Sequence, residues 1–253
     1  MAVIDDKRRY ISETRTLAIA QTVEITRLLQ DRPVPEIAQQ LRATLPAVAT
    51  SYGTVASVIS ANAYNESRSE YNPPTRYTAT PKLYEESNDL VQASIGFSIA
   101  GLVKTDDYST FQTNLAGAMV KAVLEYDKTT VDLNLTADPS GTRYQRVASA
   151  NACAFCKTMA AVAEVQRTEL FDGYHAFCNC MLSPIFEGQE PITRSYYKEA
   201  EDAYSLASTE LERQREAVGW YSMKTRQAAK LYPELTQTTE NRLRLVRQIT
   251  GWK

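Results

Sequence analysis

The residues of this chain with the most specific chemistry are its four cysteines and its single histidine, and all five lie between positions 153 and 180. They read Cys153-Ala-Phe-Cys156 and then Tyr174-His175-Ala-Phe-Cys178-Asn-Cys180. Two thiolates at the C-x-x-C spacing can grip one ion, because a tight turn, or a turn entering a helix, brings both sulfurs to the same side. His175 and the cysteines after it supply a second pair. Five candidates compete for the four positions of a tetrahedral zinc: Cys153, Cys156, His175 and Cys180 form the favoured set, and Cys178 competes with Cys180 on spacing alone. Four protein ligands close the coordination sphere and leave no position for the water that a hydrolytic zinc activates. Such an ion is structural, and its binding couples to the folding of a short module that buries little apolar surface of its own.

Other chemistries fit the same residues less completely. A thiol hydrolase would use Cys156 as nucleophile and His175 as base, which leaves three cysteines unused and no further histidine. A redox pair at Cys153 and Cys156 lacks the strand and helix alternation of a thioredoxin-like surround. A disulfide formed after release from the cell is the remaining use of the thiols. The zinc-deaminase H-x-E motif is absent, since Ala176 and Phe177 follow His175. The sequence contains no G-x-x-x-x-G-K-[ST], G-x-G-x-x-G or H-E-x-x-H, so nucleotide hydrolysis and zincin proteolysis have no motif to rest on. The acidic pairs Asp5-Asp6, Glu85-Glu86 and Asp106-Asp107 read as solvated charges or helix starts. No catalytic residue is assigned.

The chain as a whole sets bounds on function. Its 253 residues, 43% hydrophobic and 23% charged, describe an ordinary packed protein that needs no disulfides to fold. A net charge of -2 argues against wholesale DNA packaging, which needs a basic face. The start, Met-Ala-Val-Ile-Asp-Asp-Lys-Arg-Arg, lacks the apolar core of a secretory signal, so synthesis in the cytosol is expected. The longest apolar run, Ile95 to Val103, is far short of the roughly 20 residues that span a bilayer. Neither a membrane nor a small-molecule substrate is expected.

The elements that must position the cluster are mainly helical. Residues 1–64 read as a helical segment: a long helix from about Asp6 to Gln30 with Ile11, Ala18, Ile25 and Leu28 on one stripe, a short one from Pro35 to Leu41, and a third starting near Pro46. In that third helix Ala49, Gly53, Ala56 and Ala61 alternate with Val55, Val58 and Ile59, a pattern for close helix packing. Residues 65–82, polar and broken by Pro73-Pro74, read as an exposed loop or hinge. A second helical segment covers 83–139, with Leu115, Met119, Val123 and Leu124 on its core face. The turn signal Asp138-Pro139-Ser140-Gly141 opens a small α+β module over 140–192, with a strand near Thr142 to Val147, a helix near Cys153 to Gln166, and an edge strand near Met181 to Phe186 holding Pro184. Residues 193–253 are again helical, with Tyr197, Ala200, Tyr204, Ala207 and Leu211 in register, and a last helix near Thr238 to Ile249 carrying Leu243, Val246 and Ile249 beside Arg242, Arg244 and Arg247. The fold class is thus mainly α, with helical segments around a small cysteine/histidine metal knot.

The stretch Arg146-Val-Ala-Ser-Ala-Asn-Ala-Cys153-Ala-Phe-Cys156-Lys-Thr-Met, followed by Tyr174-His175-Ala-Phe-Cys178-Asn-Cys180-Met-Leu-Ser-Pro184-Ile-Phe, resembles the C-x-x-C and H-x-x-C-x-C signature of MuF-like minor head proteins of tailed bacteriophages. Ala176 and Asn179 stand where the H-P-x-C-R-C version has Pro and Arg. The resemblance implies a minor capsid protein, assembled in the host cytoplasm and kept in the virion, inside the head near the portal. It implies the portal and major capsid proteins as partners and contact with packaged DNA, or ejection with it, as a further role. Some related chains carry a capsid maturation protease; that activity needs a serine with one or two histidines, and the one histidine here belongs to the cysteine cluster.

Overall fold

The structure, a computed structural model, describes residues 2–150, 152–162, 180–223, 225–231, 233–236 and 239–252. It is mainly helical, with one two-stranded sheet among the described residues. The chain divides into two compact units: Met1–Gln145 with Val165–Pro191, and Arg146–Glu164 with Ile192–Lys253. Residues 140–192 therefore contribute to both.

The first unit begins with α1, Ala2–Leu29, a span free of proline and glycine. Its buried stripe is more polar than periodicity suggests. Ile4, Ile11 and Ala18 are buried as apolar residues, but Lys7, Thr14, Thr22 and Thr26 share the same face. Thr14, Thr22 and Thr26 each donate a hydroxyl hydrogen bond to the carbonyl four residues earlier, which makes their burial cheap. The stripe passes through Thr22 and Thr26, so Leu28, expected on it, is 64% exposed.

The second helix, α2, runs unbroken over Val34–Tyr71 with Pro35 in its first turn and Pro46 inside it. The sequence predicts a break between Leu41 and Pro46 and an exposed loop from residue 65; the break is not found, and the loop begins only at Asn72. A proline inside a helix removes one donor and orphans the carbonyl four residues back. Here that carbonyl, on Arg42, accepts a hydrogen bond at 3.2 Å from the Gln92 side chain. Leu41, Leu45, Val48 and Ala49 are buried on both sides of Pro46 and hold the helix on course. The helix ends at Asn72, whose left-handed backbone (φ 51°) lets its N–H reach the Arg68 carbonyl.

Helices α3, Ser87–Thr105, and α4, Tyr108–Ala137, complete the bundle. Asp107 caps α4 by accepting from the Thr110 amide, so this acidic residue is a helix start. The core joins Ile37, Leu41 and Leu45 to Val91, Ile95, Phe111, Leu115 and Met119. Of the expected α4 face, Leu115, Met119, Val123 and Leu124 are all at most 1% exposed. The small residues of α2 turn inward while Val55 and Val58 face out. A Cβ on Gly53 would collide with the Tyr126 ring, so the closeness of α2 and α4 depends on a glycine there.

Strands β1, Gly141–Val147, and β2, Met181–Phe186, form the sheet. The Glu187 amide donates to the Ser140 carbonyl and the Thr142 hydroxyl to the Ile185 carbonyl, so the strands run antiparallel. With only two strands both are edges, which suits Pro184. The expected strands match closely.

The second unit holds α5, Ala154–Val162, α6, Ser195–Ala217, α7, Thr225–Leu231, and α8, Thr239–Thr250. Ala154, Ala203, Ala207, Leu211, Trp220, Leu245 and Val246 make its core. Tyr197, Ala200, Ala207 and Leu211 are buried as the spacing predicts, whereas Ile249 is 46% exposed. No helix among the described residues is long and apolar enough to cross a membrane.

One ion pair ties the first unit together. The Lys7 ammonium lies 2.5 Å from Asp127 Oδ1 and donates at 2.8 Å to the Leu182 carbonyl of β2. Ser60 of α2 donates to the same carboxylate oxygen at 2.5 Å. Asp127→Ala strands a buried ammonium without its counter-charge and is expected to cost about 3–5 kcal/mol, whereas Lys7→Met with Asp127→Leu should cost far less. Urea denaturation followed by circular dichroism separates the two. Equal losses would show that the charges themselves are not what matters.

Candidate functional site

The C-x-x-C pair sits on the turn entering α5. The Cys153 carbonyl accepts the Lys157 amide at 3.0 Å, the first hydrogen bond of the helix, and the Ala152 amide donates to the Ser149 carbonyl to close the turn before it. Cys153 is half-buried and Cys156 is 1% exposed. This is the turn-into-helix arrangement that lets two sulfurs share one side. Aromatic and cationic groups surround it in the same unit: the Arg146 guanidinium lies 5.8 Å from the Phe155 ring, and the Lys157 ammonium 4.4 Å from that of Trp252. Tyr196 donates its hydroxyl to the Ala148 carbonyl, fixing the approach to the turn.

Cys180 is fully buried immediately before β2, in the other unit. His175 and Cys178 lie outside the described residues. Among the described residues no three His, Cys, Asp or Glu side chains gather as a metal-holding group. The donor types at Cys153 and Cys156, and their place on a helix-entering turn, suit a zinc-type ion.

A polar network that periodicity does not reveal lies in the first unit. Residues 72–86 carry no helix or strand, yet side chains hold much of this backbone. Asn65 accepts from the Ala79 amide at 2.7 Å and donates to its carbonyl at 3.0 Å. Asn134 treats Thr80 in the same way, at 2.9 and 2.8 Å. Each asparagine amide thus imitates a neighbouring strand. The segment expected as an exposed hinge is strapped down from Thr75 to Lys82. Arg68 adds an ion pair to Asp138 at 2.8 Å and a hydrogen bond to the Thr75 carbonyl. Tyr64 donates to Asp138 at 3.1 Å, and Phe186 packs edge-on against Tyr64 and stacks on Tyr71. Tyr71 donates to the Glu187 carbonyl, tying the end of α2 to the end of β2.

Ser60, Asp127 and Lys7 resemble a nucleophile with its helpers, but they are 0, 0 and 3% exposed, which leaves a substrate no approach. A pattern search could have flagged Asp127 and Asn134 as polar residues on the apolar face of α4. Lys7 looked like one of many surface charges.

A family described as VG15 protein matches residues 2–207. The chain belongs to the VG15 protein family. The matched span contains the four cysteines, His175 and all of the first unit but Met1, and stops within α6. Membership in the VG15 family suggests a viral, phage-type gene product. No curated protein and no solved structure matches the chain.

The tyrosines around the strap give the site a pH dependence. Burial, and then the Asp138 charge, push the Tyr64 and Tyr77 phenols upward. Burial, and then the Glu125 charge, raise Tyr84 to about 12. A phenol whose folded value lies above the unfolded one, about 10, contributes stability that is fully present below the unfolded value and lost as pH rises through the folded one. Melting temperatures are therefore expected to hold from pH 7 to about 10 and fall steadily toward 12. Tyr84→Phe should flatten part of that fall, and a profile unchanged by the substitution would refute the assignment.

Proposed function

We propose that this VG15-family chain is a structural minor head protein of a tailed-phage particle, assembled in the host cytoplasm and retained inside the head near the portal. The observation that carries the reading is the pairing of C-x-x-C with H-x-x-C-x-C inside the span matched by a viral protein family. The portal protein, the major capsid protein or both are its partners, and contact with packaged DNA is a secondary role. The mainly helical fold supports this through extended faces suited to subunit contacts.

In this reading the cysteine cluster holds a zinc-type ion. Cys153, Cys156, His175 and Cys180 are the ligands, with Cys178 the alternative to Cys180. Bound there, the ion supplies cross-linking without catalysis, because four protein ligands leave it no exchangeable position. Cys153 and Cys156 contribute a turn already ordered by the start of α5, so part of the ordering is complete before an ion arrives.

Untagged protein purified in reductant is expected to carry one zinc per chain by elemental mass spectrometry. Cys153→Ser and Cys156→Ser should each lose the metal and lower the melting temperature alike. A Cys156→Ser variant that keeps both while abolishing a proteolytic cleavage would instead identify a thiol nucleophile and overturn the structural role. Quantitative mass spectrometry of purified particles should find the chain at a fixed copy number, and its absence from them would sink the head-protein reading whatever the metal content.

A further inference from the structure

Helix α3 has an outer face that the chain itself does not explain. Asp89, Ala93, Phe97, Ala100 and Lys104 recur at spacings of three and four and are all exposed, with Gly96 on the same face and Phe97 72% exposed. Glycine inside an exposed helix costs helical stability relative to alanine. At Gly96 and at Gly101 no packing among the described residues asks for it, since an added Cβ would meet nothing of them within 4 Å. Beside this face runs a groove lined by Ser94, Phe97, Ser98, Gly117 and Lys121. Bare glycines and a projecting aromatic ring together mark a surface that the described residues leave uncovered.

We propose that the cover is a second copy of this chain, with α3 packed antiparallel on α3 across a two-fold axis passing between Gly96 and Phe97. That axis sets Asp89 opposite Lys104 of the second copy, Ala93 opposite Ala100, and the Phe97 ring over the space left by Gly96. The charge pattern selects this occupant. An acid and a base equidistant from the centre of one helix face are complementary to the same face reversed, whereas a parallel pairing would put Asp89 against Asp89. Small residues at the crossing let the two backbones approach closely, and the ring fills what the glycine leaves open. The inference is independent of the cysteine cluster and of the head-protein reading.

Sedimentation equilibrium on the full chain in reductant, from micromolar to millimolar concentration, tests it. The wild type is expected to show a monomer–dimer equilibrium. Asp89→Lys and Lys104→Asp should each weaken the dimer by about tenfold or more, and the two together should restore it to within about threefold, because the reversed pair is again complementary. Gly96→Gln enters open space on a helix and should keep or raise the melting temperature while abolishing the dimer, which separates loss of the interface from loss of the fold. A wild type that is monomeric throughout, a dimer indifferent to these changes, or a double charge swap no better than its single components overturns the proposal.

Discussion

The first unit depends on one buried charge being answered by another. Lys7 and Asp127, nearly inaccessible, meet among helices α1, α2 and α4, and the ammonium spends a further hydrogen on the carbonyl of Leu182 in β2. A pair of this kind is weak evidence for net stability, since desolvation consumes much of the attraction. Its value lies in what it forbids. Any slip of α1 along α4 separates the charges in a medium that solvates them poorly, and a slip of β2 costs the ammonium its Leu182 carbonyl, so the pair fixes register more than it adds energy.

The same logic recurs in the strap. Residues 72–86 pack Tyr77 against Tyr64 and Tyr84 against Tyr126, but among the described residues they have no strand partner for their backbone. Asn65 and Asn134 supply paired donors and acceptors that this backbone would otherwise find in a sheet, and Arg68 joins Asp138 to Thr75. Polar groups thus carry the specificity of the unit, and its aliphatic core carries the bulk of the burial.

This division explains what was legible in the sequence. The faces of α4 and α6, the two strands and the turn at Asp138–Gly141 follow from periodicity and turn chemistry, and the core residues named on α4 and α6 are buried except Tyr204, which is half-buried. Continuity of α2 through Pro46 was not legible, because the group that rescues the orphaned carbonyl is Gln92, on another helix. The inner stripe of α1 was misjudged at Leu28 because threonines, satisfied by their own helix, took the buried positions. Asn65 gave no signal because asparagine is ordinarily a surface or turn residue, whereas Asn134 stood out only by its place on the apolar face of α4. Of the cysteine cluster, Cys153 and Cys156 lie at the start of α5 and Cys180 just before β2, while His175 and Cys178 lie outside the described residues.

The hydrogen bond from Lys7 to Leu182 spans 175 residues, and this has a consequence for how the chain is made. A ribosome adding about 5–20 residues per second needs roughly 10–35 s to travel from one partner to the other. Throughout that interval α1 is synthesised and able to coil, while the strand that receives its lysine does not yet exist. The amino-terminal helix can meet Asp127 as soon as α4 is made, but its lysine has a full set of partners only once β2 arrives, so the bond to Leu182 is a late step in assembling this unit.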